Sequence, residues 1–539
     1  MPRRFLICLA FATWCFLDTW VEYAEGDIAY FARGDPVETV VIPVLCLEIV
    51  FTLGMFGLWE FCRRRSLQRA LPLHVLFLAL CFVPLGIASV AAVRALPFDL
   101  TPLIRNRWFW PVVLTIAAVP FGLVCRRPRS ASRLMRSVLL CSWPVLLLVL
   151  VQAARGTLLR YPPSAYSDGA LAAPFESGPT HVRVIWIIFD ELSQTIAFGN
   201  RPADLALPNF DRLMRESFYG SAAESPANAT EIAMPSLILG ERIIGASLLG
   251  PDELRLRLAS RSEPLAWSSL PNVFDAARDL GFNTALVGWY HPYGRLLNHS
   301  LTKCYWTAGW LGAGIEEKLR PQALVDAMWD RLLLQFAALP LAGRLPGVFP
   351  GIYQRREKIE RFSWLRDRAL EIVSDPGIGL ALIHLPVPHP PAIYSRTGGA
   401  LTARGRVGYL DSVALADRTL GELRHNMEQA GLWDRTAVLV SADHGWRTHT
   451  WRGNPEWTPE EEAASHQDTS RVPFLLKLPE QTSRVVYSKP FNTIVTRQLI
   501  TGILSGELTD PSVLPGLIER HAYDRSSRRL AGDRVRAAL

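Results

Sequence analysis

The chain has 539 residues, too many for one compact core, so at least two folding units are expected. A hydrophobic share of 49%, a mean hydropathy of +0.15 and 17 Trp exclude the collagen-like, disordered and small disulfide-framework classes. The net charge of +7 suggests nucleic acid only until it is divided. The first 160 residues hold 17 Arg, no Lys and 9 acidic residues, while the remainder holds 40 basic and 41 acidic ones. The positive excess therefore lies between apolar runs; no nucleic-acid partner is expected, and an integral membrane part followed by a nearly neutral domain is.

Five apolar runs, at about 5–21, 39–61, 73–94, 109–125 and 137–154, each approach the ~20 residues that cross a bilayer as a helix. Arg3 and Arg4 precede the first, but no small-residue cleavage site follows it, so it reads as a span and not as a signal peptide. The second connection carries Arg63, Arg64, Arg65 and Arg69, and the fourth carries Arg126, Arg127, Arg129, Arg133 and Arg136. The first connection is acidic, with Glu22, Glu25, Asp27 and Asp35. The excess of Arg on alternate loops places the N-terminus and those loops in the cytoplasm, and five crossings put everything after about residue 160 outside. The expected location is a bacterial-type inner membrane, multi-pass, with an extracytoplasmic domain. Asp18 and Glu48 fall in or near spans, where an unpaired charge is costly. Asp18 is expected to reach the interface, whereas Glu48 has either a pairing partner or a neutral, hydrogen-bonded state. Seven of the eight Cys lie in or beside the spans, which leaves Cys304 alone in the second part and allows no disulfide there.

The expected organisation is a transmembrane domain over 1–157, a Pro/Gly/Ser-rich linker over 158–180, a catalytic domain over 181–510 and a basic tail over 511–539. Within the third segment, apolar runs at 183–189, 283–288, 378–385, 436–442 and 472–478 alternate with amphipathic stretches at 208–217, 271–280 and 408–431. Continuous apolar strands separated by helices predict an α/β domain with a mainly parallel sheet covered by helices. Ligands of such sheets bind beyond the carboxyl ends of the strands. Those ends carry Asp190-Glu191, His291, His384 followed by His389, and Asp443-His444. One such residue alone is most simply a cap or an ion-pair partner; their convergence is the ligand mix of Zn²⁺ or Mn²⁺. Thr230 stands at the start of a predicted short helix, either as a plain N-cap or as a hydroxyl poised beside an anion. His449 and His466, further on, are either surface residues or additional ligands. The apolar stretch 321–350 is a core or lid helix, or else a lipid-facing element.

These residues resemble the sulfatase-like branch of the alkaline phosphatase superfamily. The likeness rests on the strand ending in Asp190-Glu191, on Thr230 ten residues before Gly240 of a Leu-Ile-Leu-Gly turn, on Gly288-Trp289-Tyr290-His291, on Pro388-His389-Pro390-Pro391, and on Ser441-Ala442-Asp443-His444-Gly445, in that order across roughly 183–505. Sulfatases carry Cys or Ser at the nucleophile with Pro two and Arg four residues later. This chain has Thr230, Ile232 and Met234, and is similar instead to five-span membrane phosphoethanolamine transferases and lipoteichoic-acid synthases, which are phosphoglycerol transferases. The resemblance implies a divalent metal held by Asp190, Thr230, Asp443 and His444, with Zn²⁺ or Mn²⁺ ahead of Mg²⁺ or Ca²⁺. It implies Thr230 as the catalytic nucleophile, taking a phospho-head-group from a membrane lipid and passing it to an envelope glycan or lipid. His291, His389, His466 and Glu191 form the expected substrate-facing set. Two alternatives stand beside this reading: a membrane-anchored hydrolase of phosphate or sulfate esters, and a catalytically degenerate envelope scaffold.

Overall fold

A computed structural model of the chain describes residues 2–25, 37–65, 71–94, 126–156, 168–176, 182–250, 253–308, 324–337, 349–452 and 457–523. The fourth expected span at 109–125, most of the linker and the tail's arginines from Arg525 onward lie outside these. The chain divides into two compact units, one of Met1–Tyr166 with Glu316–Pro350, the other of Ser167–Ile315 with Gly351–Leu539.

The second unit is built on one eight-stranded sheet. Its strands are β1 (Arg183–Phe189), β2 (Phe218–Gly220), β3 (Thr284–Tyr290), β4 (Lys303–Ala308), β5 (Leu380–Leu385), β6 (Thr436–Ser441), β7 (Phe474–Lys477) and β8 (Val485–Tyr487), in the spatial order β8-β2-β7-β6-β1-β5-β3-β4. β1 runs parallel between β6 and β5, β3 runs parallel between β5 and β4, and only β7 lies antiparallel to its neighbours. Every residue of β1, β5 and β6 is buried, as expected of strands covered on both faces. The helix Tyr409–Gln429 supplies part of that cover through Leu410, Val413, Ala416, Leu420, Leu423 and Met427, one stripe at helical spacing. All five expected strands are present within two residues or so of their predicted ends. β2, β4 and β8 were not foreseen: β2 and β8 have three residues each, and β4 (KCYWTA) mixes polar and aromatic residues without a strand period.

The register explains why the chemistry collects at one rim. Ile188 of β1 lies level with Ser441 of β6 and with His384 of β5, so the residues just past β1 and β6 emerge beside His384.

The first unit is helical. Among the described residues Ile42–Arg64 is the one helix long and apolar enough to cross a membrane; Pro128–Cys141 and Trp143–Ala154 make a second if the pair, bent by 41°, is counted as one. Elsewhere the expected runs are broken into Pro2–Cys15 with Leu17–Glu25 and Leu71–Leu80 with Phe82–Arg94. Two of the breaks have a cause in sequence. Pro84 and Pro144 lack the N–H that would bond Leu80 and Leu140, and their rings crowd those carbonyls, so the helix is interrupted at Cys81 and Ser142. Asp18 is buried instead of reaching an exposed end, and the buried Glu48 accepts the indole N–H of Trp20 at 2.8 Å. The part of the apolar stretch 321–350 that is described joins this unit. Its helix Leu324–Ala337 packs Met328 and Leu332 against the buried core of the N-terminal helices, and Gln335 Nε2 donates to Thr19 Oγ1 at 2.6 Å. Val325 and Trp329 remain exposed on it.

Candidate functional site

Asp443 is the best anchored group at the rim. Its Oδ1 accepts the backbone N–H of His444 at 2.8 Å and of Glu191 at 3.1 Å, which fixes the carboxylate plane. Its Oδ2 accepts the Thr230 hydroxyl at 2.7 Å. Gly445 lets this loop turn in: a Cβ there would collide with the carbonyls of Thr469 and Ser470.

Thr230 is the first residue of the helix Thr230–Leu239, and Ala229, not Thr230, occupies the cap position. The hydroxyl therefore makes no capping bond and turns towards the acids. It lies 3.5 Å from Asp190 Oδ2 and 3.4 Å from His444 Nε2, and it is buried. The helix ends at Gly240 in the left-handed region (φ +65°), which closes the Leu-Ile-Leu-Gly turn.

His444 completes the cluster. Its Nδ1–H donates to the Gly445 carbonyl at 2.9 Å, so in the neutral ring Nε2 carries the lone pair. That atom faces Asp190 Oδ1 at 3.5 Å and Asp443 Oδ2 at 3.4 Å. Asp190 Oδ1 has no hydrogen-bond partner. Acceptors thus face acceptors in a buried space, and the ligand atoms of Asp190, Asp443 and His444 lie within 4.8 Å of one another. Such an arrangement is unfavourable without a cation and suits a divalent one bound by oxygen and imidazole nitrogen. Burial, followed by the carboxylates of Asp443 and Glu191, pushes Asp190 well above the usual carboxylate range. Burial also acts on Asp443, but His444, His384 and the Thr230 hydroxyl outweigh it and hold its carboxyl low.

The remaining predicted residues separate. His291, fully buried and pushed down to about 3 by burial, donates Nε2–H to the Thr230 carbonyl at 3.2 Å, and so steadies the start of that helix. His389 is buried, its Nδ1 donates to the Pro390 carbonyl at 2.8 Å, and its backbone N–H bonds the Asp190 carbonyl at 3.0 Å. Burial, and then Lys358 and Arg447, hold it well below the usual histidine range. Glu191 turns away from the cluster: its carboxylate accepts the Arg447 backbone N–H at 2.7 Å and faces Arg447 Nε and Trp451 Nε1 at 3.4 Å. Its φ of +71°, like that of Tyr290 at +79°, is a conformation a side chain adopts only when its surroundings impose it, and both residues stand at strand ends of this rim. His466 is exposed and faces Glu462 at 3.4 Å; His449 is exposed as well.

Three neighbours stand outside the expected site set, although His384 is among the strand-end residues read as converging. His384 is fully buried, paired through Nδ1 with Tyr293 Oη at 3.1 Å, with Nε2 3.9 Å from Asp190 Oδ2; burial pushes it down to about 4. Lys358, from the helix Phe349–Ser374, donates to the carbonyls of His389 and Pro391, and burial pushes it down to about 7. The indole of Trp289 meets the His389 ring edge-on at 5.0 Å, and its buried Nε1–H has no acceptor. Trp289, Lys358, Arg361 and Pro390 border a recess beside the cluster. Nothing in the stretch YQRREKIERF distinguishes Lys358 from its charged neighbours, so only the fold assigns it here.

The family described as Type I phosphodiesterase / nucleotide pyrophosphatase matches residues 196–491. No curated protein matches the chain. Among solved structures, Ps i-CgsB is similar at 16% identity and a TM-score of 0.43, covering 63% of this chain and 76% of its own. The phosphonate monoester hydrolase of Agrobacterium radiobacter gives 14% and 0.39, covering 60% and 74%. An alkaline phosphatase superfamily protein from Vibrio parahaemolyticus gives 11% and 0.36, covering 62% and 68%.

Proposed function

Because the chain belongs to the type I phosphodiesterase / nucleotide pyrophosphatase family, and through it to the alkaline phosphatase/sulfatase-like enzymes, we propose that it moves a phospho-head-group, phosphoethanolamine or phosphoglycerol, from a membrane lipid to an envelope glycan or lipid by way of phosphothreonine at Thr230. One observation carries this reading: the buried Thr230 hydroxyl, on the first residue of a helix, 2.7 Å from a carboxylate oxygen and among two further ligand groups. Free N–H groups at the helix start favour an anion there.

Thr230 Oγ1 attacks phosphorus, the P–O bond to the lipid alcohol breaks, and the departing alkoxide takes up the proton that Thr230 gives up. The proton of Oγ1 departs towards Asp443 Oδ2, whose partner oxygen is held by two backbone amides. In the second step the acceptor oxygen attacks phosphorus as its hydroxyl proton is lost, the bond from phosphorus to Thr230 Oγ1 breaks, and Oγ1 regains that proton as the head group passes on. His291, bonded to the Thr230 carbonyl, keeps the nucleophile aimed. A divalent ion, held by Asp190, Thr230, Asp443 and His444, would lower the pKa of the hydroxyl and offset charge on the phosphoryl oxygens.

The membrane reading is part of the proposal: five spans within 1–157, a linker over 158–180, and the catalytic domain of 181–510 outside the cell membrane, followed by the tail 511–539. It is supported by the Arg-rich connections and by Ile42–Arg64, on which Ile49, Val50 and Leu53 are each more than half exposed. The family description favours one second reading, a phosphodiesterase in which water replaces the acceptor. Full-length enzyme given lipid labelled in its head group, with and without a glycan acceptor, separates the two. Label on the acceptor is the expected result; free head group at the same rate in both reactions favours hydrolysis, and no release by metal-loaded enzyme contradicts both.

A further inference from the structure

The helical unit holds a cavity of about 260 Å³ that has no part in the chemistry at the strand-end rim. Its walls are mostly apolar, formed by Met55, Leu58 and Trp59 on the helix Ile42–Arg64 and by Leu73 and Phe77 on Leu71–Leu80, with the buried His74 among them. Two arginines, Arg4 and Arg136, also border it.

Their charges are unequally matched. Glu60 Oε1 pairs with Arg4 at 2.7 Å and Glu60 Oε2 with Arg63 at 2.6 Å, so one carboxylate serves two cations. Arg136 is half-buried and, among the described residues, pairs with no carboxylate. Its Nε has no hydrogen-bond partner, and its guanidinium lies over the rings of Trp59 at 4.6 Å and Phe77 at 5.2 Å. Ring stacking steadies such a group but leaves its fork of donors unfilled, and phosphate is the anion whose geometry that fork matches. The outer wall is open and oily: Leu58 is 49% exposed and Leu76 48%. A free inorganic ion needs no such wall, whereas an acyl chain does.

We propose that this cavity binds an anionic glycerophospholipid, its phosphate on Arg136 and one acyl chain between the helices Ile42–Arg64 and Leu71–Leu80. The site lies at the end of the unit that carries Arg3, Arg4 and Arg63–Arg65, so it takes lipid from the cytoplasmic leaflet and is separate from the donor lipid of the reaction. This rests on the reading of these helices as membrane-spanning.

The test uses the full chain in mild detergent, with native mass spectrometry and thermal melting against dioleoyl-phosphatidylglycerol, dioleoyl-phosphatidylcholine and inorganic phosphate. Phosphatidylglycerol is expected to bind and raise the melting temperature, while phosphatidylcholine and phosphate do neither. Arg136→Gln is expected to weaken phosphatidylglycerol binding by about tenfold or more, as befits a charge-assisted pair, and Arg136→Lys to retain part of it. Leu73→Trp, which fills the cavity and keeps the arginine, is expected to exclude the lipid, and it preserves the test should Arg136→Gln not fold. Equal binding of both lipids, full binding by Arg136→Gln and Leu73→Trp, or stabilisation by phosphate alone would each overturn the lipid site. Carbonate extraction separates this from the membrane reading: protein retained in membranes without lipid selectivity refutes only the site, and protein released by carbonate refutes the spans beneath it.

Discussion

Two buried acids, one in each unit, look alike in sequence and behave differently in the fold. Glu48 sits among apolar helices and accepts the Trp20 indole N–H at 2.8 Å, a single acid with a single donor. Asp190 sits beside a second carboxylate, an imidazole lone pair and a hydroxyl, and its Oδ1 has no donor at all. Burial by itself therefore says little about function; convergence of groups that cannot satisfy one another says more. The same contrast holds for cations. Buried Arg183, at the foot of β1, donates to the carbonyls of Val373, Asp375 and Ile378, while Arg136 in the helical unit has rings against it and, among the described residues, no acceptor for its Nε. Arg183 is structural, and Arg136 is where a ligand is proposed.

The comparison can be broken at its strong end first. Thr230→Ala is expected to reduce head-group release from a lipid donor by on the order of 10⁴-fold or more, the scale of losing a nucleophile, with an unchanged melting temperature. Asp443→Asn is expected to weaken metal binding by more than about 100-fold, since even the outer partners of metal ligands reach that range, and metal analysis of the purified variant checks it. His291→Ala removes a bond to the nucleophile's carbonyl and no ligand, so kcat should fall by about 10²-fold while metal content stays at the wild-type level. The smallest effect belongs to the helical unit. Trp20→Phe orphans Glu48 and is expected to lower stability by about 1–3 kcal/mol in a denaturation measurement with turnover unaffected. A loss of turnover in Trp20→Phe matching that of His291→Ala would erase the distinction between the two acids.

The sheet was legible because β1, β5 and β6 are unbroken apolar runs, and a parallel arrangement forces their ends to one rim. That Asp190, Asp443 and His444 share a rim with His291, His384 and His389 follows from that; singling out those three together with Thr230 rests on the resemblance to the sulfatase-like enzymes. The use each histidine makes of its ring was not legible: His291 and His389 both follow strand ends, yet one bonds the Thr230 carbonyl and the other its own loop, a matter of rotamer and not of spacing. His466, left open between surface residue and ligand by its place after Asp443-His444, lies exposed: the helix Pro459–Ser465 that precedes it turns Glu461 and Ala464 inward and leaves His466 beside Glu462. In the helical unit the apolar runs were visible while the breaks were not, although Pro84 and Pro144 mark two of them. Helix 324–337 could not be assigned to a unit from composition, since an apolar stripe fits any core that will take it.

The most direct measurement is mass spectrometry of the peptide containing Thr230, taken from full-length protein after exposure to lipid donor without acceptor. The account predicts a mass increase equal to one phospho-head-group, localised to Thr230 and lost on adding acceptor. Turnover of the donor with Thr230 never modified, even when the reaction is quenched during steady state, would contradict it.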